Sequence, residues 1–134
     1  MPGWVIAFAV ALSVTAVAQQ SFSILGRWEA TIPGRGARVS YQFVDSVRVI
    51  WEVEDPGAHQ RTYVVKARYK LDRGTEPWTI DITNFEDRSL KGMMFRGIIK
   101  LQDDGSLVME GRPSNLGGRP TEFSTAAVAF VRVK

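Results

Sequence analysis

The chain has 134 residues, of which 45% are hydrophobic, a formal net charge of +3 and no cysteine. That length and a uniform composition point to one domain with one core. The missing cysteines exclude disulfide stapling, a thiolate zinc site, a cysteine nucleophile and a lipid-modified N-terminal cysteine.

Residues 1–18 carry no charged side chain and end in Ala16-Val17-Ala18 before Gln19. Small residues three and one positions before the break are what signal peptidase accepts, so this segment reads as a secretory signal, although no Lys or Arg stands near Met1. Its apolar run is short for a membrane span, which needs about 20 residues. Residues 19–134 are then the mature domain, with a secreted, periplasmic or extracellular location. Twelve of its 17 basic residues are Arg, the side chain suited to bidentate contacts with carboxylates and phosphates.

From Ile24 onward the apolar residues recur with a period of two, and turn residues separate the runs. Trp28, Ala30 and Ile32 share a face of the first run, which ends at Pro33-Gly34-Arg35-Gly36. Val39, Tyr41 and Phe43 follow in the second, before the reversal at Asp45-Ser46. The third places Val47, Val49, Trp51 and Val53 opposite Arg48, Glu52 and Glu54, and Asp55-Pro56-Gly57 breaks it. The fourth has the cleanest alternation, with Tyr63, Val65, Ala67, Tyr69 and Leu71 inward and Lys66, Arg68 and Lys70 outward.

Trp78, Ile80 and Ile82 mark the fifth run, and a polar loop covers residues 84–91. In the sixth, Phe95, Gly97, Ile99 and Leu101 oppose Arg96, Ile98 and Lys100, before the hairpin turn Asp103-Asp104-Gly105. Leu107 and Met109 mark the seventh. After a Gly- and Pro-rich loop, the eighth spans residues 126–133, and either Ala127, Ala129 and Val131 or Val128, Phe130 and Arg132 face inward.

Eight sequential strands with short connections predict an all-β, eight-stranded antiparallel up-and-down barrel, because closure satisfies the edges an open sheet exposes. Regular hairpins and the lack of a long crossover argue against a β-sandwich.

Gly26-Arg27-Trp28 together with Arg132 resembles the lipocalin-type (calycin-type) arrangement, in which a Gly-x-Trp closes the barrel floor and a late Arg packs across the Trp. A longer likeness runs through Tyr69-Lys70-Leu71-Asp72, Pro77-Trp78-Thr79-Ile80-Asp81-Ile82, Arg96-Gly97-Ile98-Ile99-Lys100-Leu101 with Gly105-Ser106-Leu107, and Arg119-Pro120-Thr121-Glu122-Phe123-Ser124. In this order and spacing they resemble the uncharacterised lipocalin-like extracellular domain abundant in planctomycete secreted proteins. That family has no established activity, so the resemblance implies fold and export and carries over no catalytic residue. Met109 and a Gly-rich loop stand where members often carry a Cys.

Alternate connections of an up-and-down barrel emerge at opposite ends. Counting from a floor at Trp28, Asp45-Ser46 and residues 73–77 and 103–105 fall at the floor, and residues 33–36, 55–59, 84–91 and 111–120 at the mouth. A small amphiphilic or anionic ligand is therefore expected among Tyr41, Trp51, Tyr63 and Trp78, with its anionic part meeting Arg35, His59, Arg88 and Arg119. The competing expectation is a solid core, since an eight-stranded barrel is just wide enough for its own side chains. A basic outer wall of Lys66, Arg68, Lys70, Arg96 and Lys100, with Asp81 among them, would then bind an envelope polysaccharide, a membrane surface or a protein.

No catalysis is expected. One His in a turn, with no nucleophile elbow, makes neither a Ser-His-Asp triad nor a zinc site. Glu52 and Glu54 read as solvated, and no cofactor or metal is implied. Nucleic acid is not an expected partner, because the aromatics face inward and leave no stacking platform. A monomer is expected.

Overall fold

A computed structural model describes residues 21–57 and 61–134. The expected signal, residues 1–18, and His59 lie outside the described residues. The strands are β1 (Gly26–Thr31), β2 (Arg38–Phe43), β3 (Arg48–Asp55), β4 (Arg61–Asp72), β5 (Trp78–Thr83), β6 (Phe95–Leu101), β7 (Leu107–Pro113) and β8 (Val128–Val133). Each pairs antiparallel with the next, and β8 returns to pair with β1, so the sheet is a closed eight-stranded barrel, as the alternation predicts.

Inward positions follow the period of two. Trp28, Phe43, Val49, Ile80, Ile82, Ile99 and Leu107 are fully buried. The open choice on β8 resolves through its pairing: Phe130 lies opposite Leu107 and is buried, Arg132 lies opposite Trp28, and Val131 is exposed, so Val128, Phe130 and Arg132 face inward. Four rings inside the barrel contact one another in a chain. Tyr41 stacks on Phe43 with centroids 6.2 Å apart and meets Phe130 edge-on at 5.4 Å, while Phe43 meets Tyr69 edge-on at 4.8 Å.

The floor is closed by cations over rings. The Arg132 guanidinium lies 4.2 Å above the Trp28 ring and donates to the carbonyl oxygens of Leu25 (2.5 Å) and Ser23 (2.6 Å). Trp28 in turn donates from Nε1 to the Ile24 carbonyl at 2.8 Å. Phe22 packs against both Trp28 and Trp78, and Arg73 lies 4.6 Å from the Trp78 ring.

The strands are strongly staggered. Residues 61–68 of β4 pair with β3, whereas β5 pairs with residues 68–72, so Arg68 alone belongs to both ladders. Beyond Arg68 the edge of β4 is met instead by the loop after β5, where the Glu86 N–H donates to the Lys66 carbonyl at 2.9 Å. Closing a sheet into a barrel requires this shear.

A segment between β7 and β8 folds back over the outer wall. Arg119 donates to the Ile80 and Gly97 carbonyls (3.2 and 2.9 Å) and to Asp81 (2.6 Å). Five residues on, the Ser124 N–H and hydroxyl donate to the Glu110 carboxylate (2.6 and 2.9 Å). The outward pair Ile98 and Glu110 is consequently buried, at 2% and 5% exposure.

Arg132→Ala removes both the ring contact and two charged hydrogen bonds across the β1–β8 closure, and should cost about 2 kcal/mol. Arg132→Lys should recover only part of that, lacking the planar fork that stacks and donates twice. Urea denaturation of the three proteins measures the difference.

Candidate functional site

Of the eight residues expected to form an interior site and its mouth, the seven that are described lie in different surroundings. Tyr41 is buried within the ring stack, and burial raises its phenol well above the ordinary tyrosine range. Trp78 lies at the floor against Phe22 and Arg73, because β5 begins at that end. Trp51 and Tyr63 do meet, edge to face at 5.8 Å, and both are partly exposed. The Tyr63 hydroxyl donates to Asp87, whose carboxyl lies below the usual carboxylate range through that bond and those from Ser89.

Among the expected mouth cations, Arg35 is exposed and sits 4.0 Å from the half-buried Asp55, a surface pair worth under about 1 kcal/mol. Arg88 is exposed in a single 3₁₀ turn (Arg88–Leu90) that follows Asp87. Arg119 is on the outer wall rather than at the mouth: Asp81 and two strand carbonyls offer its guanidinium three acceptors there. Those bonds give it a structural role, and they engage Asp81, the carboxylate among the wall cations.

The stagger at Arg68 instead produces a groove of about 500 Å³ on the outer wall. Its borders are Val44, Arg48 and Ile50 on one side, Lys66 and Arg68 in the middle, and Asn84 and Glu86 on the other. Residues 45–46 and 84–91, which a loop count puts at opposite ends of the barrel, thus flank one concavity. The responsible signal was in the chain: the fourth alternating run is twice as long as the fifth, so it cannot be paired by the fifth along its whole length.

Electrostatically the groove is one-sided. Arg48 lies directly opposite Arg68 in the β3–β4 register, with Lys66 beside Ile50 in the next outward row. Like charges facing each other across two strands are unfavourable. Asp45 offsets one of them, accepting from Arg48 Nε at 2.7 Å. Among the described residues no carboxylate forms an ion pair with Lys66 or Arg68.

Asp45 also fixes the turn that presents this edge. Its Oδ1 accepts from the backbone N–H groups of Val47 (2.9 Å) and Arg48 (2.7 Å), and its own carbonyl accepts from the Tyr69 hydroxyl at 2.6 Å. Those two N–H bonds, followed by the Arg48 side chain, pull the Asp45 carboxyl down to about 2. The groove's lining holds cations and an amide, with one carboxylate at its border.

In comparisons with known proteins, no family model matches the chain, and neither a curated protein nor a solved structure matches it.

Because the folded carboxyl of Asp45 titrates below its unfolded value of about 4, its contribution to stability is complete above that pH and is lost as pH falls through about 2. In an acid titration followed by NMR, the Asp45 carboxyl and the Val47 and Arg48 amides should move together with a midpoint near 2. Asp45→Asn should abolish that shared transition.

Proposed function

We propose that the protein is a non-catalytic, exported binding module that recognises anionic groups through its outer wall. The observation that carries this reading is the Arg48/Arg68 juxtaposition with Lys66 at its side, inside a groove. An anion between these side chains offsets their mutual repulsion and gains charge-assisted hydrogen bonds, which are roughly twice as strong as neutral ones. Lys70 and Arg96, flanking Asp81 in one outward row, extend the positive surface. Export rests on the composition of residues 1–18 and on the likeness to secreted lipocalin-like domains.

A second reading keeps a small amphiphile at the barrel mouth. It rests on the partly exposed Trp51–Tyr63 pair, with Arg35 and Arg88 in the neighbouring loops. The two readings separate by mutation, since Trp51 and Tyr63 face inward and Lys66 and Arg68 face outward.

On immobilised heparin the protein should be retained at low ionic strength and released as salt rises, because exposed charges are screened within about 8 Å at physiological salt. Lys66→Glu/Arg68→Glu should weaken retention by about tenfold or more, whereas Trp51→Ala should leave it unchanged. Retention indifferent to the double reversal would sink the outer-wall reading. A ligand seen in native mass spectrometry and lost in Trp51→Ala would favour the mouth.

A further inference from the structure

Resting on that outer-wall reading, we propose that the groove's natural partner is an anionic phospholipid surface, which the β2–β3 turn engages with two valines while the adjacent cations hold the headgroups. Val44 and Val47 are 43% and 37% exposed, although both are apolar and both sit in a tight turn. Fraying does not account for their exposure. Asp45, between them in sequence, accepts three hydrogen bonds from Val47 and Arg48, and the Tyr69 hydroxyl binds its carbonyl from the core side. The turn is thus a rigid support that holds the two side chains at the surface.

The cations adjoin Val44 directly and Val47 through its backbone. Val44 borders the groove together with Arg48, Lys66 and Arg68, and the Val47 carbonyl accepts from the Tyr69 N–H, next to Arg68 and Lys70 on β4. Ile50, half-buried, continues the apolar strip between Arg48 and Lys66.

Apolar and basic side chains interleaved on one edge match the layering of an anionic bilayer, where headgroup charge overlies acyl chain. Neither feature alone anchors a protein firmly: two partly buried valines give a small hydrophobic gain, and a few cations give a screened attraction. Together their contributions add at one place. A hydrated acidic polysaccharide would satisfy the cations but has no use for exposed valines, and this favours the lipid surface.

The test is sedimentation of the protein with phosphatidylcholine vesicles, with and without phosphatidylglycerol, set beside retention on heparin. The protein should pellet only with the phosphatidylglycerol vesicles, and progressively less as salt rises. Val44→Ser/Val47→Ser keeps every charge and should reduce vesicle binding by about tenfold while leaving heparin retention unchanged. Lys66→Glu/Arg68→Glu should reduce both. All of these positions are exposed, so unchanged urea midpoints are expected and are checked first.

Vesicle binding that survives the valine replacements would overturn the proposal, as would equal binding to vesicles without phosphatidylglycerol. Heparin retention without vesicle binding would also overturn it, and would leave an anionic polysaccharide as the partner of the same wall. Binding to neither would remove the outer-wall reading as well.

Discussion

Closure with stagger is the constraint from which the rest of this structure follows. A sheet of eight strands becomes a barrel only if its strands tilt and its register shifts around the ring. Here that shift is concentrated at β4, whose twelve residues serve two partners in succession. The strand reaches past β5, and a loop takes over the pairing at Lys66. The groove is the outward trace of that handover, and it exists because a six-residue strand stands beside one of twelve.

The same geometry sets the charges in place. Outward residues of β3 and β4 are neighbours by register, so Arg48 meets Arg68 whether or not their charges favour it. Some other charged groups on the wall are paired or hydrogen-bonded. Arg27 bonds Glu29 and Glu52, Asp81 takes Arg119, and Glu110 is satisfied by Ser124. No carboxylate among the described residues pairs with Lys66 or Arg68, nor with Lys70, Arg96 or Lys100 on the same wall. Ordinary solvation tolerates such side chains singly. Clustered around a concavity with an apolar border, they concentrate positive charge in one place.

Alternation carried most of the fold, because strand periodicity is a local property. Trp28, Tyr41, Val49, Tyr69, Ile80 and Ile99 are buried as their positions in each run require. The contact between Trp28 and Arg132 was legible through the resemblance to the lipocalin-type arrangement, while the alternation of the last run left its inward face open. The candidate site was less legible, because it depends on register. A count of loops assigns each connection to an end but treats strands as level, and so it separated the turn at Asp45 from the loop at Glu86. The segment at Arg119 was misplaced as well. The loop count put it at the mouth, whereas it lies down on the wall, where Asp81, Glu110 and the Ile80 and Gly97 carbonyls offer acceptors. Trp78 is inward as expected but at the floor, where Phe22, from a stretch without strand character, packs against it.

The proposed recognition on the wall rather than in the lumen accords with the energetics of packing. Tyr41, Phe43, Tyr69 and Phe130 contact one another in a chain inside the barrel, so opening a chamber there means deleting rings at roughly 3–5 kcal/mol apiece, a large share of a small domain's total stability. The outward face is under no such restriction. Exchanging an exposed side chain on a paired strand usually changes stability by no more than about 0.5 kcal/mol, so charge at Lys66 and Arg68 can be varied with little effect on the fold. The two requirements are met by different atoms: inward side chains hold the barrel shut, and the stagger they enforce shapes the surface on which outward side chains act.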